Sequence, residues 1–142
     1  MKLAIVGSRT FDDYPFFSFY AKKLCLYDVA GIVSGGAKGA DGLAKKFATE
    51  WDFAYKEFPA EWKKYGKSAG FIRNQTIVDN CDMVLAFWDG ESTGTADTIA
   101  KAKKAKKPTF IVYFDKPKPE VRKPIKGIEN RKSEKLMKME GL

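Results

Sequence analysis

The segment Ile32–Glu50, IVSGGAKGADGLAKKFATE, decides the fold prediction, because it joins a buried type of strand to an amphipathic helix through a glycine-rich turn. In the helical part, the apolar residues at positions 43, 44, 47, 48 and 51 fall on one face. The glycines leave the backbone able to present N–H groups at a helix N-terminus, which is a natural anion site. A tight structural turn is the alternative. The four glycines are Gly35, Gly36, Gly39 and Gly42.

The same alternation of strand, turn and helix recurs along the chain. Apolar segments predict strands over 2–6, 30–34, 53–58, 82–88 and 108–114, and amphipathic segments predict helices over 12–27, 40–51, 68–81 and 94–107. This order is typical of an α/β protein, a three-layer Rossmann-like, doubly wound sheet of about five parallel strands. Right-handed crossovers place every strand-to-helix turn at one edge of that sheet, near the point where ligands bind.

Composition limits the chemistry. The 142 residues contain no histidine, so the commonest general base and zinc ligand is absent. Cys25 and Cys81 are isolated in sequence, and we expect reduced thiols in a cytoplasmic protein without a metal or a membrane span. The net charge of +8 divides into +4 from Asp115 onward (nine basic and five acidic residues) and +4 before it. We therefore predict a domain over 1–114 and a basic Pro/Lys-rich tail over 115–142.

Four segments are expected to meet at the ligand edge of the sheet: GSRTF, the glycine turn at 35–39, the helix that carries Arg73, and WDGESTGT. Two glycine turns at helix N-termini on one edge indicate phosphate or nucleotide binding. The catalytic residues are unknown from the sequence, with Arg73, Asp97 and Asp89 as candidates. The residues expected to bind ligand are Gly7, Ser8, Arg9, Thr10, Ser34, Gly35, Gly36, Lys38, Gly39, Asp41, Arg73, Asn74, Trp88, Asp89, Gly90, Ser92, Thr93, Gly94 and Thr95.

Other patterns have ordinary explanations. GKS at 66–68 lacks the spacing of a P-loop, because Glu61 stands where that motif needs a glycine. The lysine-rich segment 101–107 lies at a helix C-terminus, where the helix dipole favours cations, and is interpreted as a solvated face. Trp62, Tyr65 and Trp88 either stack a base or pack.

Taken together, GSRTF, IVSGGAKGADGLA, the segment 58–95 and DTIAKAKKAKKP resemble the SLOG superfamily, and within it the YspA/YpsA-related branch, which includes phage-borne members. The resemblance covers about 1–114. It implies a Rossmann-like domain that binds nucleotides or nucleotide-derived ligands. The superfamily includes the LOG enzymes, which cleave the base–ribose bond of nucleotide monophosphates, and DprA, which binds single-stranded DNA.

Residue by residue, Arg73 resembles the LOG arginine, and Gly94 with Thr95 resembles the GT of the LOG motif P-G-G-x-G-T-x-x-E. The glutamate of that motif is Thr98 here, so the carboxylate expected for hydrolysis is missing. We therefore predict nucleotide-ligand binding first, a LOG-like N-glycosidase second, and a DprA-like binder of single-stranded nucleic acid third. Whether the protein is an enzyme stays open. No cofactor is expected to be required beyond the nucleotide-type ligand, and a homo-oligomer is implied by the resemblance.

Overall fold

The structure is a computed structural model that describes residues 1–115 and the backbone of residues 139–140. The strands are β1 (Lys2–Gly7), β2 (Gly31–Ser34), β3 (Ala54–Glu57), β4 (Met83–Trp88), β5 (Thr109–Tyr113) and β6 (Met139–Glu140). The helices are α1 (Tyr14–Leu24), α2 (Ala40–Glu50), α3 (Trp62–Tyr65), α4 (Ala69–Asp79) and α5 (Thr93–Lys104), with a 3₁₀ turn at Gly66–Ser68 between α3 and α4.

The sheet has the order β3-β2-β1-β4-β5-β6, and its first five strands are parallel. This confirms the predicted Rossmann-like α/β class. The chain builds outward from β1 to β3 and then returns to place β4 on the other side of β1. The topological switch point therefore lies between the carboxyl ends of β1 and β4, where ligands bind in such folds. β6 pairs antiparallel with β5. β6 is not among the strands predicted from the sequence.

Helices cover both faces of the sheet, because successive residues of a buried strand point to opposite sides. In β1, Leu3 and Ile5 belong to one core cluster, and Ala4 and Val6 belong to the other. The first cluster contains the buried faces of α1 and α2, and the second contains those of α4 and α5. The result is the three-layer arrangement predicted from the sequence.

Local contacts explain two helix boundaries, and one residue differs from the prediction. Asp13 caps α1 by accepting a hydrogen bond from the Phe16 N–H at 3.1 Å. Ser68 precedes α4 but makes no side-chain capping bond, because the chain enters α4 through the 3₁₀ turn. Trp51 was expected on the buried face of α2. It instead follows the end of the helix and is 48% exposed, with Lys22 lying over its ring.

Both cysteines are unpaired thiols. Burial raises the pKa of Cys25 and of Cys81 to about 11. The two side chains are therefore protonated near neutral pH and have little nucleophilic character.

Within residues 1–115, no helix combines the length and the apolar character needed to cross a bilayer. The predicted basic tail over 115–142 lies outside the described residues except for Asp115 and the strand β6. The proposed boundary at 114 therefore stays a prediction.

Candidate functional site: a basic cleft at the switch point

A cleft of about 430 Å³ opens at the carboxyl ends of β1 and β4. Its walls come from the turn after β1, the turn after β4, the first turn of α5, and the exposed side of α3 and α4. This is the place that the strand order predicts for a ligand, since the direction of chain winding changes here.

The turn after β1 forms one wall with Ser8, Arg9 and Thr10. Ser8 is buried, and its hydroxyl accepts a hydrogen bond from the Asp89 N–H at 3.3 Å, which ties the two strand ends together. Arg9 and Thr10 are exposed. The wall therefore presents one guanidinium and one hydroxyl on a fixed backbone.

The N-terminus of α5 forms the floor, with Thr93, Gly94 and Thr95. The first helical hydrogen bond of α5 runs from the Ala96 N–H to the Ser92 carbonyl, at 3.1 Å. The Ser92 side chain makes no capping hydrogen bond. Among the described residues, nothing accepts from the N–H groups of Thr93, Gly94 and Thr95. These three donors and the positive end of the helix dipole favour an anion.

Asp89 shapes the turn before α5. Its carboxylate accepts hydrogen bonds from the N–H of Glu91 at 2.9 Å, from the N–H of Ser92 at 2.7 Å, and from the Ser92 hydroxyl at 2.9 Å. Partial burial acts to raise the pKa of Asp89, but these hydrogen bonds outweigh it and hold the pKa below its usual value. The carboxylate is a structural cap that is ionised at neutral pH.

Arg73 and Asn74 project from α4 and connect the two glycine turns. The Arg73 guanidinium donates from Nη1 to the Gly35 carbonyl at 2.8 Å and from Nε to Asn74 Oδ1 at 3.1 Å. The Asn74 amide donates to the Gly94 carbonyl and to Asp97, both at 3.1 Å. The Nη2 group of Arg73 has no partner among these bonds, so it can donate to a ligand in the cleft.

Asp41 lies in the first turn of α2 and is 5% exposed. Its carboxylate accepts a hydrogen bond from the Ala37 N–H at 3.1 Å. Burial raises the pKa of Asp41, while the Ala37 N–H and the nearby Arg73 guanidinium act in the opposite direction. Asp41 and Asp89 are the acidic residues of the cleft wall, and both are occupied by protein donors.

Two aromatic rings and a lysine stand at the rim. Trp62 of α3 is 53% exposed and Phe71 of α4 is 49% exposed, although both line the cleft. Lys67, in the 3₁₀ turn between these helices, is also exposed and lines the cleft. Exposed rings beside cations are suited to a ligand with a flat, apolar face and a negative charge.

The structure brings most of the predicted ligand residues to this cleft. Those on its wall are Gly7, Ser8, Arg9, Thr10, Asp41, Arg73, Asn74, Asp89, Ser92, Thr93, Gly94 and Thr95. Those that do not line it are Ser34, Gly35, Gly36, Lys38, Gly39, Trp88 and Gly90. Most of the second group belongs to the first glycine turn. Trp88 packs against Tyr113, and its indole N–H donates to the Ser92 carbonyl at 3.1 Å.

The sequence reasoning missed the rim. Phe71 was not singled out, Lys67 was part of the rejected P-loop pattern, and Trp62 was named only as one of three rings that stack or pack. A cue was present in the sequence, since Trp62, Tyr65, Phe71 and Ile72 are large apolar residues that stand close together. All four are exposed in the structure.

The candidate catalytic carboxylates are engaged elsewhere. Asp97 does not line the cleft; it accepts from Asn74 and pairs with Lys101. Thr98, at the position of the LOG glutamate, is buried on the cleft wall, and its hydroxyl donates to the Gly94 carbonyl at 3.2 Å. Among the described residues, no group of three or more His, Cys, Asp or Glu side chains is placed to hold a metal ion.

Comparison with known proteins places this fold and site in context. No family model matches the sequence. The gene 61 protein of Mycobacterium phage D29 is 38% identical over 94 residues, a match that spans 61% of this chain and 73% of the phage protein. The chain belongs to the family of that phage protein. The relative agrees with the expectation of a phage-associated family.

A solved structure shares the fold. It is DNA processing protein A (DprA) from Helicobacter pylori, described for its single-stranded DNA binding mode. The TM-score is 0.55 at 21% identity, and the match covers 94% of this chain and 72% of that chain. At this identity the likeness shows the fold alone, and it agrees with the Rossmann-like architecture expected from the sequence.

Proposed function

We propose that the protein binds single-stranded DNA and seats a backbone phosphate in the cleft at the switch point. The main support for this proposal is a set of three N–H groups without an acceptor among the described residues, those of Thr93, Gly94 and Thr95, at the wall of the cleft. The same cleft is lined by Arg9, Lys67 and Arg73. Backbone donors and guanidinium groups are the usual partners of phosphate oxygens.

Cations outnumber acids on the wall of the cleft, with Arg9, Lys67 and Arg73 beside Asp41 and Asp89. Asp89 accepts three hydrogen bonds from its own turn, and Asp41 is buried against the Ala37 N–H. The cations Arg9 and Lys67 form no ion pair within the described residues. A phosphate therefore meets a net positive charge in the cleft.

The exposed rings at the rim supply the second part of a nucleotide site. Trp62 lies close to Gly70, since a Cβ built at Gly70 would be 3.5 Å from Cη2 of the indole, and Phe71 follows Gly70 in α4. A base of the bound strand stacks on these rings. Every base has such a face, so this contact tolerates any sequence. The fold shared with DprA and the net charge of +8 support the same function.

The test is fluorescence anisotropy with a labelled (dT)12 oligonucleotide at about 50 and 200 mM salt, which separates phosphate contacts from others. We expect binding that weakens with salt. Lys67→Glu should weaken it about tenfold. Lys63→Glu is the matched control, because Lys63 is equally exposed on α3 but does not line the cleft. Absence of binding at low salt, or equal losses for the two variants, would contradict the proposal.

A free nucleotide or nucleotide derivative is the second candidate. The cleft volume of about 430 Å³ favours it, since small-molecule sites span about 300–1,000 Å³. Competition distinguishes the two sources of phosphate. If a mononucleotide displaces (dT)12 at equal phosphate concentration, the cleft is selective for the monomer; if a large excess is needed, the strand is the ligand.

A LOG-like N-glycosidase has less support. Its chemistry needs a carboxylate at the ribosyl centre. Asp89 and Asp97, the candidates for this role, are held by backbone N–H groups and by Lys101 respectively. Incubation with nucleoside monophosphates, followed by chromatography of the released base, tests this candidate. The YspA/YpsA-related branch and the homo-oligomer stay predictions, and light scattering after gel filtration tests the latter.

A further inference from the structure

Helices α4 and α5 lie side by side on one face of the sheet, and the first turn of each lines the cleft. We infer that a bound DNA strand leaves the cleft along the surface where these two helices meet, passes the Phe71 ring, and places a second phosphate against Lys104. The inference rests on the proposed function and adds a direction and a second contact to it. It assigns a role to the lysine-rich segment that the cleft does not use.

The geometry of α5 supports this path. At 100° per residue, Gly94, Lys101 and Lys104 fall within about 80° of one another on the helix surface. These three residues form one stripe along α5. Because Gly94 belongs to the cleft floor, the stripe extends from the proposed phosphate site to the two lysines. At 1.5 Å per residue, Lys104 lies about 15 Å along the axis from Gly94, so only a strand of several nucleotides can reach both.

Contacts with α4 show which way this stripe faces. The Asn74 amide donates to the Gly94 carbonyl and to Asp97, and the Lys101 ammonium lies 5.5 Å from the centroid of the Phe71 ring. The stripe therefore borders the exposed edge of α4. The Phe71 ring, half exposed, lies between the cleft and the lysines as a surface on which a base can stack.

Charge favours this exit over the one toward α1. Along this surface, the carboxylate of Asp97 is paired with Lys101, and Lys104 is exposed with no ion pair among the described residues. On the α1 side, the exposed acids Asp12 and Asp13 stand two and three residues after Thr10. A phosphate that moves toward α1 meets negative charge, while one that moves along α5 meets lysine.

The test compares a short and a long oligonucleotide on two variants with the same charge change. Lys104→Glu should leave the affinity for (dT)3 within about twofold and lower the affinity for (dT)12 about five- to tenfold, with a salt slope smaller by about 0.7. Lys103→Glu is the control, because Lys103 is equally exposed but 100° away around the helix. Its affinities should change less than twofold for both oligonucleotides.

The outcomes separate the path from the proposed function. If (dT)3 binds and the two variants lose affinity for (dT)12 equally, the path is wrong while the cleft remains the binding site. If (dT)12 binds no more tightly than (dT)3 to the unmodified protein, the path is also wrong. If neither oligonucleotide binds at low salt, the proposed function itself fails. Thermal unfolding of both variants should match that of the unmodified protein, which shows that they fold.

Discussion

The two glycine turns at the ligand edge look alike in sequence and differ in structure. In the first, Gly39 and Gly36 are constrained by the atoms around them and by their backbone conformation. A Cβ at Gly39 would lie 2.4 Å from the Ser8 carbonyl oxygen, and one at Gly36 would lie 2.5 Å from Glu57. Both residues also have positive φ, of 76° and 74°. The turn fits against β1 and β3, and its Ala37 N–H is taken by Asp41.

In the second turn the glycines face open space. A Cβ at Gly90 or at Gly94 would meet no atom within 4 Å, although Gly90, with a φ of 81°, shares the backbone conformation that favours glycine. Asp89 holds the turn from within, and the N–H groups at the start of α5 point into the cleft. The comparison teaches that a glycine-rich turn at a helix N-terminus serves either packing or a ligand. The space around its Cα atoms distinguishes the two.

The largest effect is expected at Gly39, where the comparison predicts a purely structural role. Gly39→Ala places a methyl group against the Ser8 carbonyl at φ 76° and ψ −131°, a backbone region that only glycine adopts readily. We expect a loss of about 3 kcal/mol or more in the free energy of unfolding. Urea denaturation checks this. A loss below about 1 kcal/mol would mean that the first turn is not packed as described.

Arg73 connects the two turns, so its replacement should affect both stability and binding. Arg73→Lys keeps the charge but loses the planar fork that holds the Gly35 carbonyl and Asn74. We expect a loss of about 1–2 kcal/mol in stability and about tenfold weaker (dT)12 binding. Urea denaturation and anisotropy measure the two effects. Unchanged affinity for (dT)12 would show that Arg73 does not contribute to DNA binding in the cleft.

Asp89 caps the second turn, and its effect should depend on pH. Asp89→Asn keeps an oxygen that can accept from the same two N–H groups but removes its negative charge, at a cost of about 1 kcal/mol at pH 7. Because the folded pKa of Asp89 lies below its unfolded value, this stabilisation is present above the unfolded pKa. It is lost as the pH falls through the folded pKa.

Thermal unfolding of Asp89→Asn and of the unmodified protein should therefore differ at pH 7 and converge in acid. Asp12→Asn is the control, since Asp12 is exposed and forms no hydrogen bond among the described residues. A difference that is constant with pH would contradict the capping role of the Asp89 carboxylate.

The smallest effect on stability is expected at Gly94. Gly94→Ala adds a methyl group in open space within the first turn of a helix, where alanine is favoured over glycine by about 0.5–1 kcal/mol. The free energy of unfolding should therefore rise by up to that amount. A lower free energy of unfolding would show that Gly94 is constrained by packing, as Gly39 is. The two turns would then not differ in the way described here.

The sequence predicted the fold class and the edge of the sheet at which the candidate site lies. Both predictions follow from hydrophobic periodicity and from right-handed crossovers. It did not distinguish the two turns. That distinction depends on Gly39 lying against Ser8 and on Arg73 reaching Gly35, contacts between residues far apart in sequence. The rim was missed for a local reason, since α3 has four residues and carries no periodic signal.

The most direct test of the central claim is the affinity of Gly94→Ala for (dT)12, measured by anisotropy beside its stability. If the second turn holds the phosphate, the variant should bind about tenfold more weakly while it unfolds no more readily than the unmodified protein. Unchanged affinity in a variant of equal or greater stability would contradict the claim that DNA is bound at this turn.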